Sequence, residues 1–334
     1  MFWKRLIGID FGTYHSRIIL PEGVIYEEPT LIARNKKLNK VVAIGSKAEE
    51  LLGKTPKDIE LIRPIENGVI TNLRAAEYLL RHMISTVSGN VIFTKPTIVI
   101  NIPTNASSVE IRALEEVALA AGAGDVLIYP NTYLAALGSE FNIEEPFGLL
   151  IVDIGAGTTE TAIISYGGIV ISDTTKIASH TINENLNNFL KKNYGIIVGD
   201  LMLDKIKHQI ASASENVENI EVEIRGRDIS SGLPKSINIR TYDILDVVTI
   251  VLEQIILHIK GVLEKSPPEL SSDIVDTGII LTGGGAKLRD IETVILKSLG
   301  LPVVKLDDVD KVVSNGIRTI VKDLDRYAYR NRVN

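Results

Sequence analysis

Two segments of this chain share one design. The segment LIGIDFGT at residues 6–13 leads into the apolar run RIIL at 17–20, and LIVDIGAGTT at 150–159 leads into TAII at 161–164. Each is an apolar strand that ends at an Asp, then a Gly/Thr turn, then a second apolar strand. A single hairpin of this kind indicates only an Asp serving as a turn residue. Two copies, one in each half of the chain, predict a duplicated domain with a shared cleft.

The two turns also have a chemistry in common. Backbone N–H groups in Gly-rich turns can cradle phosphate oxygens. Asp10 and Asp153 can then hold a hydrated Mg²⁺, which prefers a few carboxylates and several waters. The alternative from the residues alone is two ordinary hairpins without a ligand.

Composition narrows the class of protein. The chain has 334 residues, which predicts two domains of ordinary size, and 45% of them are hydrophobic, which is ample for a core. It has no Cys, which excludes disulfides and thiol chemistry, and its net charge of −6 argues against nucleic acid as the main partner. No apolar run is long enough for a transmembrane helix or a secretory signal. We expect a cytoplasmic protein.

Strand and helix signals alternate in both halves, which is typical of α/β architecture. A capping box at Ser107 and Glu110 predicts a helix that ends at Gly122. A long apolar helix is predicted over 245–263, before Pro267 and Pro268. The predicted strands are 6–10, 16–20, 23–28, 97–102, 125–129, 149–154, 161–165, 168–174 and 277–281.

Each half carries a segment whose residue pattern differs from that of the rest of the half. This difference predicts one small inserted subdomain per lobe. The segment NKKLNK at 35–40 suggests a hairpin turn in the first insert, and RGRD at 225–228 and SSGLP at 230–234 suggest polar turns in the second. Lobe I is assigned to 1–146, with subdomain IA at 1–29 and 69–146 plus the C-terminal 312–334, and subdomain IB at 30–68. Lobe II is assigned to 147–311, with subdomain IIA at 147–182 and 243–311, and subdomain IIB at 183–242.

Two further segments are candidates for ligand contact. The segment IILTGGGAK at 279–287 is a strand followed by a triple-Gly turn; it matches neither a Walker A loop nor GxGxxG, and is either a ligand turn or a tight structural turn. The segment DKIK at 204–207 follows Gly199 and Asp200. Its polar side chains either reach a ribose or base or form a solvated helix face.

Together these residues resemble a known superfamily. The segments DFGT at 10–13, DIGAGTTE at 153–160 and LTGGG at 281–285 resemble the two phosphate motifs and the adenosine motif shared by actin, sugar kinases and heat-shock chaperone ATPases. The similarity is greater to one branch, the bacterial actins of the MreB family. It rests on RPIENGVI at 63–70, SYGGIV at 165–170, RGRD at 225–228 with GLP at 232–234, and PPEL at 267–270 leading to DIVD at 273–276.

The resemblance implies an actin-like α/β fold, a duplicated ribonuclease-H-like ATPase fold that binds ATP and Mg²⁺ in the cleft. It also implies filaments on the inner face of the cell membrane that help to determine cell shape, with the chain itself and membrane cell-shape proteins as partners. The phosphate contacts it implies are Gly12, Thr13, Tyr14, His15, Ser16, Gly155, Ala156, Gly157 and Thr158. Asp10 and Asp153 are implied at the metal. The ribose, base and adenosine contacts are Asp204, Lys205, Ile206, Lys207, Gly283, Gly284, Gly285 and Ala286.

One departure from the family pattern concerns hydrolysis. The family segment with the hydrolytic glutamate usually reads EEPMAAAIG, whereas this chain has YPNTYLAALG at 129–138. Asn131 thus stands in the place of the glutamate, and Thr158 and Thr159 complete the implied catalytic group. Asn can orient a water but cannot act as a base at neutral pH. We expect slow hydrolysis of ATP rather than none.

Two smaller departures lie in the phosphate turns. Ala156 stands where Gly is usual, and a positive φ there would cost about 1–2 kcal/mol. His15 stands where Asn is usual. It is either a phosphate contact that strengthens on protonation or a partly exposed turn residue.

Two apolar segments are candidates for membrane contact. Phe2 and Trp3 lie beside Lys4 and Arg5, and Val91, Ile92 and Phe93 form an apolar loop where the resemblance implies membrane insertion. Two weak anchors together give stable attachment. The alternative is that Phe2 and Trp3 cap the first strand while Val91 to Phe93 begin a buried one.

Three functions follow from these considerations. The first is an ATP-dependent cytoskeletal filament that organises cell-shape machinery and cell-wall synthesis. The second is a small-molecule kinase of the same fold, although no surplus acidic motif supplies its substrate base. The third is a regulatory filament subunit that binds nucleotide without hydrolysing it.

Overall fold

The computed structural model describes residues 6–88 and 95–327. The first half contains β1 (Leu6–Phe11), β2 (His15–Leu20), β3 (Gly23–Pro29), β4 (Ile32–Asn35), β5 (Lys40–Ile44), α1 (Ser46–Glu49), β6 (Ile59–Ile62), β7 (Ile65–Glu66), β8 (Val69–Ile70), α2 (Leu73–Ser88), β9 (Thr97–Ile102), α3 (Ser108–Ala121), β10 (Asp125–Pro130) and α4 (Asn131–Gly138).

The second half has the same alternation of strands and helices. It contains β11 (Leu149–Ile154), β12 (Thr159–Ser165), β13 (Gly168–Thr175), α5 (Ser179–Tyr194), β14 (Ile196–Ile197), α6 (Asp200–Ile210), β15 (Glu221–Asp228), β16 (Pro234–Arg240), α7 (Leu245–Leu263), α8 (Pro268–Thr277), β17 (Ile279–Thr282), α9 (Ile291–Leu299), β18 (Val303–Lys305), α10 (Val312–Lys322) and α11 (Leu324–Tyr327). Short 3₁₀ turns lie at Thr241–Asp243, Gly284–Lys287 and Val309–Lys311.

Two five-stranded sheets repeat one topology. The first has the order β10-β9-β1-β2-β3 and the second β13-β12-β11-β17-β18. The two hairpins identified in the sequence are antiparallel pairs, β1 with β2 and β11 with β12. The first strand of each hairpin also pairs in parallel with a later strand: β1 with β9, and β11 with β17. The duplication predicted from the two hairpins is therefore confirmed at the level of whole sheets.

Each half also carries a small three-stranded sheet, β5-β4-β6 in the first and β14-β15-β16 in the second. The turn predicted at 35–40 connects β4 to β5. The turn predicted at 225–228 is wrong, because these residues lie in β15 and pair with both β14 and β16. The predicted boundary between 182 and 183 falls inside the continuous helix α5.

The predicted strands and the two predicted helices agree with the structure to within two residues at each end. The capping box at Ser107 and Glu110 is present, and Gly122 ends α3 in the left-handed conformation. Thr277, predicted to start a strand, instead ends α8; Gly278, at φ +74°, separates it from β17.

An apolar cluster shared by both halves lies beneath the cleft. It combines residues of the first sheet, such as Ile19 and Val99, with residues of the second, such as Ile151 and Ile280. Helices α4 and α10 cross within it at backbone distance, because a Cβ on Gly316 would stand 1.9 Å from the carbonyl oxygen of Leu134. This close crossing fixes the floor of the cleft, and α4 begins there with Asn131.

Candidate functional site

The two hairpin turns face each other across one cleft. The cleft encloses about 1270 Å³ of empty space, a figure that includes its open mouth. The turns close with the same backbone bond: Gly12 N–H donates to His15 O at 3.1 Å and Gly155 N–H donates to Thr158 O at 2.8 Å. The structural repeat therefore extends to the details of the turns.

Most of the residues predicted for the site line this cleft. They are Asp10, Gly12, Thr13, Tyr14, His15, Asn131, Asp153, Gly155, Ala156, Gly157, Thr158, Asp204, Lys207, Gly283, Gly284 and Gly285. The structure therefore brings together segments that lie up to 275 residues apart in the chain, from Asp10 to Gly285.

Five predicted residues do not line the cleft, and their side chains have other places. Ser16 is buried and hydrogen-bonded to Thr30, and the Thr159 hydroxyl donates to Ile177 O at 2.7 Å. Ile206 is in the apolar core of the second half. The remaining two are Lys205, which is exposed, and Ala286, which is fully buried.

The triple-glycine turn combines packing with access to the cleft. Gly283 has φ +87°, and a Cβ on it would stand 2.3 Å from Ile154 O; a Cβ on Gly285 would stand 2.4 Å from Ile154 Cγ2. Gly284 has no such neighbour and lines the cleft. The outer glycines therefore pack against the second hairpin and leave the middle one open to a ligand.

The two cleft aspartates have different electrostatic surroundings. Asp10 accepts a hydrogen bond from Ser314 Oγ at 2.6 Å and lies 3.4 Å from Arg17. Burial raises its pKa, and Arg17 opposes the rise. Among residues 6–88 and 95–327, the hydrogen-bond donor to the Asp153 carboxylate is the neutral hydroxyl of Thr282, at 3.0 Å. Burial first, and the nearby Glu160 second, raise the pKa of Asp153 to about 7.

These residues fit a hydrated Mg²⁺ better than a cage of protein ligands. Within 6–88 and 95–327 no group of three or more His, Cys, Asp and Glu side chains has metal-binding geometry. Mg²⁺ keeps several waters and uses one or two carboxylates with phosphate oxygens. Asp153, whose charged form is disfavoured by burial, would be stabilised by such a cation.

Arg17, which sequence reasoning overlooked, is buried at the edge of the cleft. Its guanidinium donates to Glu27 at 2.8 Å, to the Asp310 carbonyl at 2.8 Å and to the Asp310 carboxylate at 3.2 Å. Lys287 also bonds to Asp310, at 2.7 Å. The network thus joins the first hairpin to the segment before α10.

Asn131 is held on both sides of its amide. Its Nδ2 donates to Glu160 Oε1 at 2.7 Å, and its Oδ1 accepts from Asn101 Nδ2 at 2.9 Å. Glu160 is fully buried and also accepts from Thr104 N–H and Oγ1, both at 2.7 Å, and from Thr158 Oγ1 at 3.1 Å. Burial raises the pKa of Glu160, against the effect of these donors.

The two unusual residues of the phosphate turns fit without strain. No positive φ occurs at Ala156, so the predicted cost of an Ala there does not arise. His15 is half-buried, and burial, followed by the charge of Arg17, lowers its pKa. The neutral imidazole is therefore favoured, which weakens the interpretation of His15 as a cationic phosphate contact.

Asp204 anchors the other end of the cleft. Its Oδ1 accepts from Asn183 Nδ2 at 2.8 Å and from Lys207 Nζ at 3.2 Å, and its Oδ2 accepts from Tyr14 Oη at 2.7 Å. Burial tends to raise the pKa of Asp204, but Lys207 and the other donors lower it overall. A carboxylate in this position is able to accept bonds from ligand hydroxyls.

Several cleft residues were missed from the sequence. They are Phe11, Arg17, Gly68, Asn101, Ile102, Pro103, Ser179, His180, His208, Lys287, Val309, Asp310 and Val313. Asn101 carried a usable signal, since it is the one polar residue after Thr97 in the strand TIVINI and stands near its carboxyl end, where α/β sheets bind ligands. Gly68 also did, since the pair Asn67-Gly68 is typical of a tight hairpin turn.

The predicted membrane residues lie outside the described part of the chain. These are Phe2, Trp3, Val91, Ile92 and Phe93. No helix within the described ranges is both long and apolar enough to cross a bilayer.

The duplicated sheets, the small sheet attached to each half and the cleft between the two turns define an actin-like protein. A family model described as MreB/Mbl protein matches residues 4–329. The chain belongs to the MreB/Mbl family.

Individual relatives agree with this assignment. The cell shape-determining protein Mbl of Bacillus subtilis (strain 168) is 35% identical over 329 residues, which cover 98% of this chain and 99% of Mbl. The crystal structure of MreB5 of Spiroplasma citri bound to AMPPNP has a TM-score of 0.93 at 34% identity, covering 98% of this chain and 99% of that one. MreB5 has also been crystallised with ADP. The MamK double helical filament shares the fold, with a TM-score of 0.78 at 20% identity over 95% of this chain and 98% of that one.

Proposed function

We propose that this chain binds ATP with Mg²⁺ in the cleft and assembles into filaments that help to determine cell shape. The observation that carries the proposal is the pair of turns, closed by the same backbone hydrogen bond at Gly12 and Gly155, that face each other beside Asp10 and Asp153. MreB5, which is similar along its whole length, binds AMPPNP and ADP. Bound Mg²⁺ would neutralise phosphate charge beside Asp10 and Asp153.

We further propose that hydrolysis is slow. A water that attacks a phosphate needs an acceptor for its proton. The Asn131 carbonyl oxygen already accepts from Asn101, and its amide nitrogen donates to Glu160. Asn131 therefore provides no general base, and the filament subunit would hydrolyse its nucleotide slowly.

Assembly is tested with the purified chain by sedimentation and negative-stain electron microscopy, with Mg-ATP, with Mg-ADP and without nucleotide. We expect filaments that depend on nucleotide. Gly284→Leu would fill the cleft and abolish them, whereas Gly261→Leu, also at a glycine with open space around it, would preserve them. Wild-type protein that remains monomeric with Mg-ATP under conditions where it is folded would contradict the proposal.

Membrane attachment is a separate proposal, based on Phe2, Trp3 and the apolar loop at 91–93. It would place the filament on the inner face of the cell membrane, beside membrane cell-shape proteins and the cell-wall synthesis that they organise. Sedimentation with anionic vesicles tests it: the double variant Trp3→Ala, Phe93→Ser should lose binding, and Tyr166→Ser, which removes an exposed aromatic elsewhere, should not. Equal vesicle binding by all three proteins would rule this attachment out.

A further inference from the structure

Tyr14 makes a contact across the cleft that the functions discussed above do not require. It stands at the tip of the first hairpin turn, between β1 and β2, and donates from its hydroxyl to Asp204 Oδ2 at 2.7 Å. Asp204 belongs to α6, in the second half of the chain and 190 residues away. One hydrogen bond therefore connects the phosphate turn of lobe I to the small subdomain of lobe II.

The ring of Tyr14 is held from two sides. The Arg63 guanidinium lies 5.2 Å from the ring centroid, and the His15 ring packs against it edge-on at 4.9 Å. Aromatic and cation–π contacts of this kind favour a fixed ring orientation. The hydroxyl is consequently pre-positioned on Asp204 rather than free to rotate away.

If a bound nucleoside donates a hydroxyl to Asp204, the Tyr14 bond occupies one of the acceptor positions that the nucleoside would use. Asp204 Oδ1 is already engaged by Asn183 and Lys207, so Oδ2 is the oxygen on which a further donor would depend. A ribose hydroxyl that binds Asp204 has to displace the Tyr14 hydroxyl or share this oxygen with it. Hydrogen bonds to a charged carboxylate are stronger than those between neutral groups. Loss of the bond from Tyr14 to Asp204 therefore reduces the net free energy of nucleotide binding.

We propose that Tyr14 competes with the ribose hydroxyls of the nucleotide for Asp204, and so weakens the binding of ribonucleotides to this chain. The competition rests on the proposed function, because it presupposes that a nucleoside triphosphate enters the cleft. It predicts a specific pattern: the hydroxyl of Tyr14 lowers the affinity for ATP but not for an analogue without ribose hydroxyls.

The test measures the Kd of Mg-ATP and of 2′,3′-dideoxy-ATP by calorimetry for the wild type and Tyr14→Phe, which keeps the ring and its contacts. We expect Tyr14→Phe to bind ATP about tenfold more tightly and to bind the dideoxy analogue as the wild type does. Tyr166→Phe, at a residue 79% exposed and outside the cleft, should change neither value. Thermal unfolding of each variant verifies that it is folded.

The other outcomes separate the two claims. If Tyr14→Phe binds ATP more weakly or equally, or gains equally for both nucleotides, competition for the ribose is wrong while nucleotide binding stands. If neither folded protein binds either nucleotide, the proposed function itself fails, and the competition fails with it.

Discussion

Each cleft aspartate faces a charged residue across its hairpin, and the two charges are opposite. Arg17 pairs with Asp10 in the register of β1 and β2, whereas Glu160 pairs with Asp153 in β11 and β12. The first hairpin thus neutralises its aspartate within the protein. The second places two carboxyl groups in a buried space, which leaves negative charge for a bound cation to compensate.

This asymmetry predicts a pH dependence of stability in the absence of nucleotide and Mg²⁺. The pKa of Asp153 is raised to about 7 in the folded protein, so the folded state holds this proton more tightly than the unfolded chain, where the pKa is about 3.9. The contribution to the free energy of unfolding is therefore fully present below about pH 4 and is lost as the pH rises towards 7. Asp153→Asn should remove this part of the pH dependence. Urea denaturation between pH 5 and pH 8 measures it, and equal slopes for the two proteins would refute the assignment.

The position of Asn131 predicts a gain of function. Asn131→Glu supplies a carboxyl group beside Glu160, and the neighbouring carboxylate raises the pKa of the new group towards neutrality, where a general base works best. We expect phosphate release with Mg-ATP to rise about 100-fold.

Asn131→Gln is the matched control, because it has the same length without the base, and it should leave the rate near that of the wild type. Equal rates for all three proteins would show that another group limits hydrolysis.

At the scale of elements, the crossing of α4 and α10 links packing to the site. Gly138 and Gly316 allow backbone contact, since a Cβ on Gly138 would stand 2.0 Å from Val312 O. The same two helices carry Asn131 and Ser314, whose hydroxyl bonds to Asp10. The small residues at the crossing therefore determine how far apart these two site residues lie.

Gly316→Ala should destabilise the protein by about 1–3 kcal/mol, because the helices have to separate. Gly261→Ala is the control: it lies in α7 with open space around it, and should be neutral or stabilising by up to about 1 kcal/mol, owing to the better helix propensity of Ala. Urea denaturation gives both values. A Gly316→Ala variant as stable as the wild type would mean that the two helices are not tightly packed there.

Local signals in the sequence were sufficient for nine of the strands and for helices α3 and α7. They failed at a segment whose conformation depends on the strands that it pairs with. The capping box at Ser107 and the Gly/Thr turns depend on neighbouring residues, so the sequence revealed them. The segment 225–228 has turn-forming residues, yet it pairs on both sides as a polar strand that is largely exposed. The residues of this segment do not by themselves reveal which strands pair with it.

The candidate site was likewise predicted only in part from the sequence. The residues of the turns were found because they are contiguous, whereas Asn101 and Asp310 reach the cleft from separate elements. Thr159 and Ile206 were also predicted as site residues, yet they do not line the cleft. They are adjacent to cleft residues in the chain, but strand alternation and helix periodicity direct their side chains into the protein.

At the scale of the molecule, an apolar cluster joins the two lobes beneath the cleft, and the cleft is open on the opposite side. The shared apolar cluster contains residues of both sheets, while the cleft above it is crossed by polar contacts such as Tyr14 Oη to Asp204 Oδ2 at 2.7 Å. A core common to both lobes favours unfolding in a single transition. A ligand that contacts both turns stabilises this whole unit rather than one lobe.

We therefore predict that Mg-ATP raises the temperature of one cooperative transition. At a hundredfold excess over Kd, binding adds about 2.7 kcal/mol. For a chain of 334 residues this corresponds to a rise in Tm of about 4 °C. Gly284→Leu, with its cleft filled, should show the transition without the shift. Calorimetry that resolved two transitions, only one of them responsive to Mg-ATP, would mean that the nucleotide acts on a single lobe and that the shared core does not couple the two.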